Sequence, residues 1–274
     1  MATLEMGNLA VAVQPGHGPE FAAGVAEAER IGYSAIWISG GGVPDLDTVA
    51  ADVVRATERV PVTTGIFSVA MYDAARVAGT YTELEASHPG RFNAGIGGAR
   101  AADPFAALTT YLDELDGAVP TERRVLAAMG PKMLELARDR TAGALPVLVT
   151  PDYTATCREV LGAGPLLAVQ QLVALTTDAA EARAAGRAPL RFMSTLPAYQ
   201  RSFRRMGFSA ADIANLSDEL VDALIFWGDA ATVAAKLRAQ LDAGADSVAV
   251  SVVNAGPGEA VPLGQLRALA AAVG

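Results

Sequence analysis

Short apolar runs, several of them rich in β-branched residues, recur along the chain: "NLAVAVQ" (8–14), "SAIWIS" (34–39), "VTTGIFS" (62–68), "FNAGIG" (92–97), "RVLAAM" (124–129), "ALPVLVT" (144–150), "LLAVQQLVAL" (166–175) and "SVAVSVV" (247–253). Amphipathic segments separate them. Such runs read as strands, and their alternation with helical periodicity reads as βα units feeding a parallel sheet. The near-continuous apolar character of "VAVSVV" and "LLAV" is that of parallel strands buried on both faces. Eight strands in a chain of this length fit a (β/α)8 TIM barrel in the α/β class better than an open doubly wound sheet, which usually has fewer.

The first intervening helix lies in "PEFAAGVAEAERIGY". Phe21, Val25, Ala28 and Ile31 fall on one face, Glu20, Glu27, Glu29 and Arg30 fall away from it, and Gly32 stops it. One spacing is irregular. About seventy residues separate the seventh and eighth runs, enough for several helices. The expected layout is a single barrel domain over residues 1–274 with a helical insertion at about 178–228, between strands seven and eight.

Composition narrows the function. The formal charge is −9, which argues against a surface that releases counterions from nucleic acid. Cys157 is the only cysteine, so no intrachain disulfide forms. No apolar run reaches the length of a membrane span, and the N-terminus lacks the cationic region of a signal peptide. A cytoplasmic protein with no membrane and no nucleic-acid partner is expected.

Glycines carry most of the candidate chemistry. "SHPGRFNAGIGG" (87–98) places Gly95, Gly97 and Gly98 at the end of the fourth run, where they resemble part of a G-x-G-x-x-G fingerprint. Arg100 replaces the last glycine, and this is the fourth strand instead of the first, so a Rossmann site is disfavoured. Two readings stay open: small residues for strand–helix packing, or a lowered floor at the barrel's C-terminal face on which a planar ring lies close to backbone. Gly65, inside "TTGIFS", marks a bulge or a close approach. In "AAMGPKMLELA", Gly130 ends a strand and Pro131 suits a first helical turn. That is either an ordinary strand-to-helix turn or an anion seat, with Lys132 adding charge.

Residues for other chemistries are sparse. His17 and His88 lie in turns and form no metal-ligand spacing with Cys157, so no metal is expected. His17, just after the first strand, is either a solvated loop residue or a residue of the barrel mouth; His88 lies at the opposite, stabilising end. Neither G-x-S-x-G nor G-x-x-x-x-G-K-[ST] occurs, and Asp113, Glu114 and Asp116 read as a helix's polar face. A borrowed cofactor is expected to do the chemistry.

Taken together, "GYSAIWIS", "VPVTTGI", "HPGRFNAGIGG", "RVLAAMGPKMLELARDRTAGALPVLVTPDYT", "GPLLAVQQLVALTTD", "LPAYQRSFRRMGF" and "DALIFWGDAATVAAKLRAQLDAGADSVAV" resemble the luciferase-like monooxygenase superfamily over nearly the whole chain, and more closely its branch dependent on the deazaflavin coenzyme F420. The resemblance implies an F420-dependent oxidoreductase that transfers a hydride to a polarised C=C or C=N bond of a small molecule, in secondary metabolism. The alternatives are an FMN-dependent monooxygenase and a cofactor-free barrel with a binding role. It further implies a cis Gly65–Ile66 peptide under the ring, Ser68 and Gly95 to Gly98 bordering the ring, and Ala128, Met129, Gly130 and Pro131 holding the phosphate. Gln14 and Ser39 would make polar contacts, and Tyr199 would be a wall or proton donor from the insertion. Relatives are often dimers, so a homodimer is one option. The chain departs from its relatives in the short segment "GARAADPFAAL", which lacks their Ser-His pair and tyrosine, in "SGGGVPD", where some place an acid or histidine, and in "VAVQP", where an aromatic is common.

Overall fold

The computed structural model describes residues 4, 6–40, 42–256, 259 and 261–273. Its strands are β1 (Leu9–Val13), β2 (Ile36–Ile38), β3 (Val62–Thr64), β4 (Phe67–Ser68), β5 (Phe92–Gly97), β6 (Arg124–Leu126), β7 (Gly143–Ala144), β8 (Leu166–Leu175), β9 (Ile225–Gly228) and β10 (Ser247–Val252). The helices are α1 (Gly18–Arg30), α2 (Leu46–Ala56), α3 (Ala74–Ser87), α4 (Pro104–Leu115), α5 (Pro131–Arg140), α6 (Pro151–Leu161), α7 (Ala179–Met193), α8 (Pro197–Arg205), α9 (Ala210–Asn215), α10 (Asp218–Leu224), α11 (Ala230–Asp242) and α12 (Leu263–Val273).

Neighbouring strands pair in parallel in the order β10-β1-β2-β3-β5-β6-β7-β8, and β8 pairs in turn with β10. That last ladder, from Ser247↔Ala168 to Val252↔Val173, closes the eight-stranded barrel. β4 continues the line of β3 and pairs with the upper part of β5.

All eight apolar runs contain a barrel strand, but several strands are shorter than their runs. "RVLAAM" is strand only to Leu126, because its last three residues turn toward α5. "ALPVLVT" contributes only the end of β7, after which Pro146, lacking an N–H, interrupts the ladder and Val147 makes a lone bridge to Gln170. "VTTGIFS" breaks into β3 and β4 at Gly65–Ile66.

The interior is filled by small and medium residues around one large one. Ala10, Ala12, Ala35, Trp37, Val125, Leu166, Ala168 and Ala249 pack together, joined by Leu4 and Met6 ahead of β1. Alternation along each strand sends the other set, including Val11, Ile36, Val62 and Phe92, outward against the helices.

The segment between β8 and α11 departs from the expected all-helical insertion. Helices α7 to α10 are followed by β9, which pairs with β8 from Leu172↔Ile225 to Leu175↔Gly228. The run "LIFW" at 224–227 carries the β-rich signal for this strand, obscured by the helical segments on both sides. The insertion has its own apolar cluster, including Leu190, Phe203, Ile213, Leu220 and Val221, which reaches Leu172 at the top of β8. A buried polar chain anchors it: Gln171 donates to Leu224 O at 2.9 Å and accepts from Gln240 at 3.0 Å, and Gln240 accepts from the Thr154 hydroxyl at 2.6 Å.

Glu29 is not on the solvent face of α1. It is 7% exposed, and its carboxylate accepts the backbone N–H groups of Glu58, Arg59 and Val60 at 2.7, 2.7 and 3.0 Å. Helical periodicity placed it outside, but the turn before β3 folds over it. Burial raises its pKa, while these three donors and Arg91 outweigh burial and hold it below the ordinary value. The stabilisation is therefore present above the unfolded-state pKa and lost as pH falls through the lowered folded one. Glu29→Ala is expected to cost about 1–3 kcal/mol at neutral pH, because it orphans three N–H groups. The difference from wild type should shrink in acid, which denaturant melts at a series of pH values would measure.

Candidate active site at the C-terminal mouth of the barrel

In a parallel barrel the strand carboxyl ends converge on one face, where loops carry function. Pairing registers identify the inward positions: Ala12, Trp37 and Thr63 share a layer, as do Gly95, Val125, Gly143 and Leu166. Two residues further along, the same parity reaches Gln14, Ser39, Gly65, Gly97 and Ala127 at the mouth.

Ser39 and Gln170 meet across this opening. The Gln170 side-chain amide donates to Ser39 Oγ at 2.8 Å. Gln170 is 8% exposed, and its carbonyl oxygen has no hydrogen-bond partner among the described residues. The Ser39 hydroxyl keeps its own proton to donate. One layer below, the fully buried Trp37 has an indole N–H with no partner among the described residues. Gln14 is exposed at the end of β1. The sequence reading missed Gln170. Its signal was the paired glutamine in "LLAVQQLVAL", since two polar side chains in a buried strand require partners on opposite faces.

The Gly65–Ile66 peptide is cis, and both residues are half-buried at the rim. A Cβ on Gly65 would sit 3.6 Å from Ile38 O, an ordinary contact. Gly95 and Gly97 are glycines for internal reasons. A Cβ on Gly95 would lie 1.7 Å from Thr64 O, and one on Gly97 would lie 2.7 Å from Ile66 Cδ1 and 2.9 Å from Ala127 Cβ. Gly98, exposed with φ +69°, leaves room for Ser68, whose hydroxyl donates to Gly98 O at 3.2 Å. The space that the missing side chains leave is thus used largely by Thr64, Ile66 and Ser68.

At the start of α5, Gly130 is the N-cap and Pro131 the first helical residue. The Tyr153 hydroxyl donates to Met129 O at 2.6 Å, fixing the carbonyl before the cap. The Arg205 guanidinium, from the insertion, lies where a Gly130 Cβ would be 3.1 Å from its Nη1. Ala128 is buried behind this turn and Met129 half-buried in it.

Tyr199 packs against the insertion cluster, its ring 6.1 Å from that of Phe203. Desolvation pushes its phenol up to about 12, so it is neutral at physiological pH. On the opposite side of the mouth His17 Nε2 lies 3.0 Å from Asp45, both about half exposed. Tyr72 steadies the neighbouring loops, donating to Val43 O at 2.5 Å and accepting from the Leu46 N–H at 2.7 Å. Cys157 is buried and its thiol pushed up to about 12 by desolvation, so it is not a nucleophile.

Residues 9–109 match the family model described as luciferase-like monooxygenase. No match was found among curated protein sequences. Similarity in fold to solved structures extends over the whole chain. An F420-dependent secondary alcohol dehydrogenase in complex with an F420–acetone adduct is similar in structure, with a TM-score of 0.75 and 14% identity, covering 99% of this chain and 100% of that one. The coenzyme F420-dependent tetrahydromethanopterin reductase of Methanopyrus kandleri gives a TM-score of 0.73 at 17% identity, over 98% and 99% of the two chains. The FMN-bound oxygenating constituent of 3,6-diketocamphane monooxygenase from Pseudomonas putida gives 0.68 at 15% identity, over 99% and 98%. F420-dependent enzymes and an FMN-bound monooxygenase therefore share this architecture.

The mouth of this barrel suits a flat ring. Gly65, Ile66, Gly98 and Ala127 are partly or fully accessible and offer only short or apolar surfaces. Among the described residues, Ser39 and Gln170 leave one donor and one acceptor unused beside them, and the Arg205 guanidinium stands at the start of α5. Among the described residues there is no group of three metal-ligating side chains, and no helix is long and apolar enough to cross a membrane.

Proposed function

We propose that this protein is an F420-dependent oxidoreductase that transfers a hydride between the deazaflavin and a small organic substrate by reducing a polarised C=C or C=N bond. One observation carries the reading: from Gln14 round to Ser251, no inward-facing residue at the strand ends of the mouth is ionisable. A site without a nucleophile or a general acid on its floor has its reactivity supplied from outside the chain. When bound, F420 would supply a hydride, and two-electron transfer to a polarised bond needs less acid assistance than acyl or phosphoryl transfer.

The chain's own part is orientation. Gly65, Ile66, Gly97 and Gly98 would flank the ring, with Gly95 and Ser68 supporting that wall from behind. Ala128, Met129, Gly130 and Pro131 would hold the phosphate with Arg205 opposite. Ser39, held by Gln170, would donate a hydrogen bond to the polarised atom of the substrate, which would take its proton from solvent, Gln14 would close the rim, and Tyr199 would wall the pocket from the insertion. Small-molecule specificity would then lie in the rim loops. A homodimer and a cytoplasmic setting are part of the same proposal.

The test is titration with oxidised F420 and, separately, FMN, followed by absorbance and ring fluorescence. Saturable binding of F420 is expected. Preference for FMN, with oxygen consumption when a flavin reductase is added, would replace the proposal with a monooxygenase, and no response to either ring would leave a binding barrel. Within the proposal, Ser39→Ala should lower turnover on the order of 10-fold to 100-fold with coenzyme affinity preserved, as for loss of one donor aimed at developing charge. Equal losses in binding and turnover would assign Ser39 to the coenzyme instead.

A further inference from the structure

Helix α8 carries Arg201, Arg204 and Arg205, all exposed. The chain has 30 acidic against 21 basic residues, so carboxylates are in excess. The arginines of neighbouring α7 use them: Arg183 pairs with Asp218 and Asp222, and Arg187 with Asp218. Arg201, Arg204 and Arg205 have no carboxylate within 4.0 Å among the described residues. Like charges spaced i,i+3 and i,i+4 on one helix repel, so this triplet is unfavourable for α8 on its own.

Its position is informative. Arg205 lies against Gly130 at the start of α5 and borders a cavity of about 280 Å³ lined also by Pro131, Leu134, Tyr153, Thr156 and Val160. Its charge acts on Tyr153, where it opposes the upward effect of burial on the phenol. Lys132 is exposed in the first turn of α5. A positive strip thus starts at the proposed phosphate seat and continues along α8. A nucleic acid is a poor match to so short a strip on a chain of charge −9.

We infer that Arg205, Arg204 and Arg201 bind a flexible chain of carboxylates that extends from the coenzyme's phosphate, as the γ-linked glutamates of F420 do. This deepens the F420 reading and rests on it. It also offers a physical basis for choosing between cofactors, since FMN ends at its phosphate and has nothing to place on α8.

The experiment compares full-length wild type with the Arg201→Ala/Arg204→Ala/Arg205→Ala variant. Each is titrated by ring fluorescence with F420 carrying several glutamates and with the glutamate-free coenzyme, at low and high salt. Wild type should bind the tailed form about tenfold more tightly at low salt, the sum of three exposed ion pairs. The ratio should fall toward one near 1 M salt, where the screening length is about 3 Å, and in the triple variant. The residues are exposed, so the variant is expected to melt like wild type. Equal wild-type affinities for the two forms, or a ratio unchanged in the variant, would overturn the tail site and leave the F420 reading standing. Failure of wild type to bind either form would overturn both.

Discussion

Gly95→Ala is expected to destabilise the barrel strongly, although it adds only one methyl group. The new Cβ would lie 1.7 Å from the carbonyl oxygen of Thr64 and 2.9 Å from its carbon. Neither atom is free to move. Thr64 Oγ1 donates to Gly95 O and accepts from the Gly95 N–H, both at 3.0 Å, so the two backbones are held together at the point where β3 gives way to β4. Overpacking a core usually costs about 1–3 kcal/mol because side chains adjust. Here the obstacle is main chain inside a closed sheet, and about 3 kcal/mol or more is expected against a typical total of about 5–15 kcal/mol. Gly79→Ala is the control. Gly79 lies in α3 with nothing within 4 Å of its added Cβ, and the change should stabilise by about 0.5–1 kcal/mol. Denaturant melts and soluble yield would check both. A Gly95→Ala protein with the wild-type midpoint would mean that β3 and β5 do not approach as described.

A second large loss is expected at Arg124, at the start of β6. Its side chain is 2% exposed, yet fully occupied: Nε and Nη2 donate to Val119 O, and Nη1 donates to Leu112 O at 3.3 Å and Asp116 Oδ1 at 2.8 Å. Arg124→Met keeps most of the apolar volume but strands two buried carbonyls, and a loss of about 2–5 kcal/mol is expected, on the order of 1–3 kcal/mol for each. Asp116→Asn should cost far less, because that side chain is half exposed and Arg140 also reaches it. The hydrogen bond from Arg124 is the leading reason that the Asp116 carboxyl titrates below its ordinary value. Asp116's contribution is therefore present above the unfolded pKa and lost on acidification through the folded one. Comparable midpoints for Arg124→Met and Asp116→Asn would show that the carbonyl contacts carry little.

The two sites bear on function because they position the mouth. β5 carries Gly95 and Gly97 to the rim, and β6 runs from Arg124 to the turn containing Met129 and Gly130. A partial loss of either strand would disturb both the proposed ring seat and the phosphate seat. Binding assays on destabilised variants therefore need a folded-fraction measurement beside them.

The amino-acid sequence by itself determined the sequential pattern of strands, their order and the place of the insertion, because apolar period and turn residues are local properties. It also located the glycine positions and the sparseness of residues for other chemistries. What it left open depended on which distant residues meet. The glycines of β5 were legible as positions but not in purpose: only the packed barrel shows that Thr64 O and Ile66 fill the space they leave. Periodicity set Glu29 in solvent, and a turn some thirty residues later buried it. Gln170 gained meaning only when strand pairing closed the barrel and brought it to Ser39, 131 residues away in the chain. Arg205 likewise became part of the site only when the insertion folded back over α5. Tertiary structure decided these contacts because closure of the sheet and docking of the insertion, unlike helix and strand periodicity, are not encoded within any single window of residues.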